Sequence, residues 1–310
     1  MWYDIINYYD YYQQRHVAVR ENIMNERNAM ENRIALIGLT VLTVITLAVF
    51  AFCFLGAGDL FSGNGGGTEV SEPSDSTDGT QTTDREQISS VIAECQTKMN
   101  NFQTQLDSPY LLLVNESNPL PVDYEVGELT LLDGYKTLKL ETTAAERFNE
   151  FLVAAKKAGY AASLTAAYRT EKQQKTVYDD AVEGFMNAGY PAETARSMAA
   201  VSVGSVNCSE HQLGFSVDFS KKEMSLLGAD GRSFEEYLND TIYQYGFILS
   251  YPAGEEDQTG REANTVHYRY VGVAAAEEMI KEGWTLNEYR DYLQTQLNYL
   301  KQYVQSLESK

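Results

Sequence analysis

An uninterrupted apolar segment near the N-terminus constrains this chain more than any other feature of its sequence. Residues 34–57 contain no charged side chain. A helix of that length spans the hydrocarbon core of a bilayer, whereas few soluble helices are apolar on every face for so long. More than thirty residues precede the segment, and it is longer than the apolar core of a cleavable signal peptide. The sequence therefore predicts a single transmembrane helix over residues 34–57.

Basic residues predict the orientation of this span. Four arginines precede it, and the next Lys or Arg after it is Arg85. Cytoplasmic flanks carry the excess of Lys and Arg, whereas Asp and Glu contribute little to the rule. We therefore expect residues 1–33 to be a helical segment in the cytoplasm and the main domain to lie outside the cell membrane. The net charge of −20 argues against a nucleic-acid partner, since phosphate binding requires clustered Lys and Arg.

Composition and helix signals divide the rest of the chain. Residues 58–83 are mostly Gly, Ser, Thr and Asp, which predicts a flexible linker. A capping box at Thr83 to Glu86, followed by apolar residues at heptad spacing, predicts a stem helix over residues 84–107. This helix could form a short coiled coil or pack on the domain behind it. A second capping box, Thr285 to Glu288, opens a helix that runs toward Leu307.

The main domain is predicted over residues 108–293, and residues 294–310 form a C-terminal helical extension. The extension could pair with the stem helix or with a second copy of the chain. Helical and strand patterns mix without the regular βαβ order of a parallel sheet, which indicates an α+β domain. The predicted helices are 144–159, 171–186 and 192–200, and the predicted strands are 161–167, 215–219, 245–251 and 266–271.

Cysteine and histidine are rare in this chain. Cys53, Cys95 and Cys208 lack CxxC spacing, so we interpret them as unpaired thiols, with a Cys95–Cys208 disulfide as the alternative. Only two of the three histidines, His211 and His267, lie in the main domain.

Both main-domain histidines lie in polar, turn-rich stretches, and Asp218 follows His211 by seven residues. Two His and one Asp can fill three positions around zinc and leave the fourth for water. A metal in such a site lowers the pKa of water toward about 7 and polarises a carbonyl. On composition alone, two structural histidines and an N-capping aspartate are the more economical interpretation.

Six short motifs between Pro109 and Tyr292 match those of one protein family and follow each other in the same order as in that family. Residues Ser209 to Asp218 read SEHQLGFSVD, and residues His267 to Gly272 read HYRYVG. Together with four further matches they resemble the zinc D-Ala-D-Ala carboxypeptidases and dipeptidases, the VanY-like family, whose first metal motif is SxHxxGxxxD. The four further matches are Leu112 to Leu120, Ala167 to Gln174, Tyr245 to Pro252, and Thr259-Gly260.

The resemblance implies a fold and a set of site residues. The fold would be a small, mainly antiparallel sheet flanked by helices, of the DD-peptidase/hedgehog-like type, with Zn²⁺ as cofactor. Arg169 would bind the substrate and stabilise charge on the scissile carbonyl, a role that suits a fixed guanidinium. Gln174 and Ser209 would orient neighbouring groups in the substrate site. The implied zinc ligands are His211, Asp218 and His267.

One family position carries a different residue in this chain. The family has a Glu three residues before the last His, where it acts as general base, whereas this sequence has Asn264, which cannot accept a proton at neutral pH. Ser250 also stands where the family often has Arg. Glu262, two residues from Asn264 and on the same side of an extended strand, is a candidate substitute base. Glu210, beside His211, is a second carboxylate to consider.

These observations predict a membrane-anchored zinc metallopeptidase that acts on peptidoglycan stem peptides as a D-Ala-D-Ala carboxypeptidase. The alternative is a catalytically impaired relative that binds zinc and wall peptides without cleaving them. Slow residual hydrolysis lies between the two, because loss of a general base typically costs about 10²–10⁴-fold. A third hypothesis is a scaffold between the cytoplasmic helix and the wall. A homo-oligomer formed through the stem and C-terminal helices is left open.

Overall fold

The computed structural model describes residues 78–121 and 123–309, with side chains from residue 85 onward. Contacts divide the chain into residues 1–85 and residues 86–310, and the architecture below is that of the second unit and the helix leading into it. The predicted cytoplasmic segment, the predicted span over residues 34–57 and most of the predicted linker lie outside the described residues. Within the described part of the chain, no helix is long and apolar enough to cross a membrane.

The described residues form an α+β domain, as predicted. The helices are α1 (Asp78–Leu106), α2 (Thr142–Lys157), α3 (Glu171–Asn187), α4 (Ala192–Val203), α5 (Phe234–Thr241), α6 (Glu256–Thr259), α7 (Val273–Glu282) and α8 (Leu286–Glu308). The strands are β1 (Leu129–Leu131), β2 (Lys139–Glu141), β3 (Leu164–Ala166), β4 (Ser216–Phe219), β5 (Phe247–Tyr251) and β6 (Asn264–Tyr270). Short 3-10 turns occupy Pro109–Leu111, Glu210–Leu213 and Ile242–Tyr245.

The strands form two antiparallel sheets. Strands β1 and β2 pair with each other, and the other four have the order β3-β4-β6-β5. In the central pair, Asp218 of β4 lies opposite His267 of β6. Residues opposite each other in an antiparallel pair have Cβ atoms about 4.5–5.5 Å apart. The register alone therefore places two of the predicted metal ligands side by side.

Both faces of the four-stranded sheet are buried, but they differ in chemistry. Successive side chains of a strand point to opposite faces. The first face is aromatic and packs on α2, where Phe148 lies 5.3 Å from Phe247 and 5.8 Å from Phe219 between ring centroids. The second face is polar: it carries Asp218, His267 and the fully buried Arg269. The core therefore holds the sheet from one side and leaves the other side for a polar site.

Helix ends follow local capping chemistry in most places. The predicted capping box at Thr285 and Glu288 is confirmed at the start of α8. The stem helix differs, since α1 begins at Asp78, upstream of the predicted box at Thr83 to Glu86. No proline lies between Asp78 and Thr83, so no backbone N–H group is missing from the helix there.

The stem helix packs on the domain behind it and against the start of α8. The hydroxyl of Tyr289 donates to the Gln105 side chain at 2.8 Å. Nη1 of Arg290 donates to the carbonyl oxygens of Leu106 and Leu111 at 3.1 and 2.8 Å. These bonds fix the junction through which α1 enters the domain. Cys95 on α1 and Cys208 in the main domain are both buried and free.

Candidate metal centre

The three predicted metal ligands form one cluster. His211 lies in the 3-10 turn before β4, and Asp218 and His267 lie opposite each other on β4 and β6. Nε2 of His211 is 3.1 Å from Oδ2 of Asp218, and Nδ1 of His267 is 2.8 Å from Oδ1 of Asp218. The ligand atoms of all three lie within 4.8 Å of one another. Zn–N and Zn–O bonds of about 2.0–2.2 Å in a tetrahedral site are compatible with that spacing.

Hydrogen bonds on the far side of each ring orient both imidazoles. Nδ1 of His211 is 2.8 Å from the carbonyl oxygen of Ala167, so this nitrogen carries the proton and Nε2 faces Asp218. Nε2 of His267 is 2.9 Å from Oε2 of Glu210, so Nδ1 faces Asp218. Metal-binding histidines typically donate their other N–H group to a carbonyl or a carboxylate in this way. The residues present therefore fit a metal held by His211 Nε2, Asp218 and His267 Nδ1.

The carboxylates in and beside the cluster favour positive charge there. Burial opposes the charge of Asp218, but His211 and His267 outweigh it and hold the pKa of this carboxyl well below its usual range. Burial lowers the pKa of His211, and the neighbouring Asp218 offsets this only in part. Burial also opposes protonation of His267, but hydrogen bonds to Asp218 and Glu210 raise its pKa to about 9. Metal binding at His267 would therefore displace a proton.

Glu210 is a buried anion behind the cluster. Its Oε1 accepts from Nη1 of Arg269 at 2.7 Å, while its Oε2 contacts His267. Burial opposes its charge, but Arg269 and then His267 outweigh burial and hold the pKa of Glu210 below its ordinary value. Both oxygens are thus engaged, one by Arg269 and the other by His267. The sequence offers Glu210 as a possible substitute base; the structure pairs it with Arg269 in the outer layer of the site.

Arg169, which the resemblance predicts to bind substrate, lies beside Asp218. Its backbone N–H donates to the carbonyl of His211 at 3.0 Å. Its Nη2 lies 3.4 Å from Oδ2 of Asp218, and its Nη1 donates to Oε1 of Gln174 at 3.3 Å. Gln174 is fully buried at the first turn of α3, which a capping box at Thr170 begins. Gln174, for which an orienting role is predicted, therefore contacts Arg169 directly.

A cavity of about 300 Å³ opens beside Arg169. Tyr124 and Tyr168 contribute aromatic surface to its wall, Gln212 contributes an amide and Glu171 a carboxylate. Binding pockets combine apolar walls with a few convergent polar groups. Arg169 thus lines a small-molecule-sized space, and its guanidinium lies beside Asp218.

The remaining predicted site residues occupy less direct positions. Ser209 is buried at the start of the 3-10 turn that carries His211. Asn264 opens β6, is half-buried, and accepts through Oδ1 the backbone N–H of Val266 at 3.3 Å. Glu262 is exposed, and its backbone N–H donates to the carbonyl of Val201 at 3.3 Å. Ser250 is buried, and its hydroxyl has no hydrogen-bond partner among residues 85–309.

The fold and site are those of an α+β domain with a buried His–Asp–His cluster that could hold a metal ion, an arginine beside it and a cavity lined by that arginine. Comparison with known proteins narrows the class. The sequence profile of the VanY family, described as D-alanyl-D-alanine carboxypeptidase, matches residues 137–273. A D-alanyl-D-alanine carboxypeptidase of Enterococcus faecalis (strain ATCC 700802 / V583) is 31% identical over 179 residues, which cover 58% of this chain and 65% of the relative.

Two solved structures are similar over nearly their whole length. One is a mutant of the vancomycin-resistance D,D-pentapeptidase VanY from a VanB-type resistance cassette, in complex with Zn(II). It is 31% identical, with a TM-score of 0.53, and the match covers 59% of this chain and 99% of that one. The other is VanYB in complex with D-alanine-D-alanine, 30% identical, with a TM-score of 0.54, covering 59% and 98%. This chain belongs to the VanY D-alanyl-D-alanine carboxypeptidase family.

Proposed function

We propose that this protein is a zinc-dependent D-Ala-D-Ala carboxypeptidase that acts on peptidoglycan stem peptides. The observation that carries the proposal is the cluster of His211, Asp218 and His267 within 4.8 Å, with Arg169 at 3.4 Å from Asp218. Support comes from the relatives: one similar structure is a complex with Zn(II), and another holds D-alanine-D-alanine.

The chain's own residues supply binding and orientation. Zinc at this cluster would act as a Lewis acid toward the scissile carbonyl and lower the pKa of water. Arg169 would hold the substrate by its carboxylate or stabilise the developing oxyanion, because a guanidinium presents a planar pair of donors. Gln174 keeps that guanidinium in place, and Glu210 keeps His267 in its ligating orientation. These groups account for substrate placement and polarisation.

The residues available for proton transfer support a second candidate function. Asn264 stands where the resemblance places the general base, and the exposed Glu262 forms no described contact with His211, Asp218 or His267. The second candidate is a zinc-binding relative that retains wall peptides without cleaving them. Both candidates share the metal site and Arg169 and differ only in turnover.

We further propose that the protein is anchored in the cell membrane by residues 34–57, with its N-terminus in the cytoplasm. The charge-free segment and the arginines before it support this proposal. The anchor would hold the metal-site domain on the side of the membrane where peptidoglycan lies. The scaffold and homo-oligomer hypotheses stay predictions.

One experiment tests the proposed function. The zinc-loaded protein is incubated with a pentapeptide ending in D-Ala-D-Ala, and released D-Ala is measured with His211→Ala as control. Release that requires His211 is the expected result. Zinc binding and peptide retention without release would contradict cleavage and support the second candidate, and absence of zinc binding would contradict both.

A further inference from the structure

Arg261 is a buried cation close to the metal centre, in the turn between α6 and β6. Only 3% of its surface is exposed. Its Nη1 donates to the carbonyl oxygen of Ala200 at 2.6 Å, and its Nη2 donates to the carbonyl of Cys208. Among residues 85–309 it forms no ion pair, and its Nε has no hydrogen-bond partner. Burying a charge without a carboxylate partner costs free energy. The two carbonyl contacts offset part of that cost, and the segments they join are therefore of interest.

The first contact seats this turn on the end of α4. Ala200 is in the last turn of α4, at the negative end of the helix dipole, which favours a cation, and its carbonyl also accepts the backbone N–H of Gly204. The backbone N–H of Glu262 donates to Val201 in the same turn at 3.3 Å. Gly204, which follows α4, packs so closely that a Cβ there would overlap both Nη atoms of Arg261.

The second contact fixes the segment that carries a metal ligand. Cys208 is buried and lies three residues before His211. The intervening residues include Glu210, which orients His267. Through one guanidinium, the end of α4 and the ligand-bearing 3-10 turn are therefore held at a fixed separation.

The same helix end also orients Arg169. Nε2 of Gln174 donates to the carbonyls of Val203 and Gly204 at 2.9 and 2.7 Å, and its Oε1 accepts from Arg169. Gln174 and Arg261 thus both donate hydrogen bonds to carbonyl groups at the C-terminal end of α4. Arg169 depends on that terminus through Gln174, and His211 depends on it through Cys208.

We propose that Arg261 is a positioning residue that sets the separation between the metal ligands and Arg169 by clamping the end of α4 to the segment before His211. Its part in hydrolysis rests on the function proposed above, whereas its part in metal-site geometry does not. The residue contacts neither the three ligands nor Arg169 directly, so it acts only through the backbone of α4 and of Cys208.

The test compares full-chain Arg261→Met, Arg261→Lys and Arg196→Met with the parent protein. Arg196 lies on α4, the helix whose end Arg261 contacts, is exposed and pairs with Glu193, so its loss controls for removing a positive charge close to α4. Zinc affinity is measured by chelator competition, site geometry by the visible spectrum of the Co²⁺-loaded protein, and turnover as separate kcat and KM values.

We expect Arg261→Met to weaken zinc binding by about 10–100-fold, the range for losing a group that orients a ligand. Its Co²⁺ bands should shift, and kcat should fall more than KM rises. Arg261→Lys should be intermediate, because an ammonium lacks the two-pronged guanidinium geometry. Arg196→Met should match the parent in all three measurements.

Parent-like zinc affinity and Co²⁺ spectrum in Arg261→Met would overturn the proposal, even if the melting temperature fell. If the Met variant does not fold, Arg261→Lys decides: parent values overturn the proposal, and weakened zinc binding with shifted bands supports it. A parent protein that binds zinc but releases no D-Ala would contradict cleavage alone, because the zinc and Co²⁺ measurements still report on Arg261.

Discussion

Two residues outside the ligand set, Glu210 and Arg269, connect the metal centre to the rest of the domain. Arg269 also donates through Nη2 to the carbonyls of Tyr110 and Leu112 at 3.0 and 2.6 Å, beside the junction with the stem helix. A buried ion pair is by itself weak evidence for stability, because desolvation opposes the Coulombic gain. The pair makes sense as an orienting device, since one oxygen of Glu210 is fixed by Arg269 and the other holds His267.

We expect Glu210→Gln to damage both metal binding and stability. The amide cannot balance the buried charge of Arg269, so the free energy of unfolding should fall by about 3 kcal/mol. Zinc affinity should fall about 10–100-fold, because His267 loses its carboxylate partner. Chelator competition and urea denaturation measure the two effects.

Glu262→Gln is the matched control for that change, because it removes an exposed carboxylate from the neighbouring turn. It should alter the free energy of unfolding by no more than about 0.5 kcal/mol. Equal effects of the two substitutions on zinc affinity would contradict the special role of Glu210.

Asn264→Glu tests whether the base position is unfilled. Placing a carboxylate there should raise D-Ala release by about 10²–10⁴-fold, the usual contribution of a general base. Steady-state rates with the pentapeptide measure the gain, and Asn264→Gln controls for side-chain length. An unchanged rate would show that another group already supplies the base; loss of activity in Glu262→Gln would then identify Glu262.

At the scale of the elements, the sheet depends on α2 for its support. Phe148 is fully buried and contacts two strands, while Val153 on the same helix is 67% exposed. Phe148→Ala should therefore lower the free energy of unfolding by about 3–5 kcal/mol. Val153→Ala should change it by no more than about 0.5 kcal/mol. Denaturant unfolding of both variants measures the difference, and similar losses would mean that α2 does not support the sheet.

The elements were largely predictable from the sequence because their signals are local. Helix periodicity and caps predicted α2, α3, α4 and α8 to within a few residues, and the two histidine motifs contain the three residues that cluster in the structure. In β6, the alternation of His267 and Arg269 with Tyr268 and Tyr270 predicted a strand. It did not show that the polar side is also buried, because the groups that cover it come from distant residues such as Glu210.

The same reason explains why Arg261 and Glu210 were not predicted as supports of the site. Their partners are backbone carbonyls and a buried guanidinium brought close only by the tertiary fold: Glu210 and Arg269 are 59 residues apart in sequence, and Cys208 and Arg261 are 53 apart. No local pattern reports such contacts. From sequence alone, a charged residue such as Arg261, between a helix and a strand, is expected to be solvent-exposed. Only the packing against α4 shows that it is buried.

At the scale of the whole molecule, the family match covers residues 137–273, whereas α1 and the whole of α8 lie outside it. Both helices are nevertheless linked to the site through residues 106–112. Arg290 of α8 donates to the carbonyls of Leu106 and Leu111 in this segment, and Arg269 donates to those of Tyr110 and Leu112. The domain that carries the His–Asp–His cluster is therefore joined to α1 and α8 by specific hydrogen bonds at residues 106–112.

The proposed membrane anchor, residues 34–57, can be tested in cells. The full chain should sediment with membranes, and deletion of residues 34–57 should move it to the soluble fraction, because no other charge-free apolar run of that length occurs in the sequence. In cells stripped of their wall, added protease should digest a C-terminal tag and spare an N-terminal one, since the arginines precede the span. Protection of the C-terminal tag would place the domain away from its proposed substrate, and a soluble full chain would rule out the anchor.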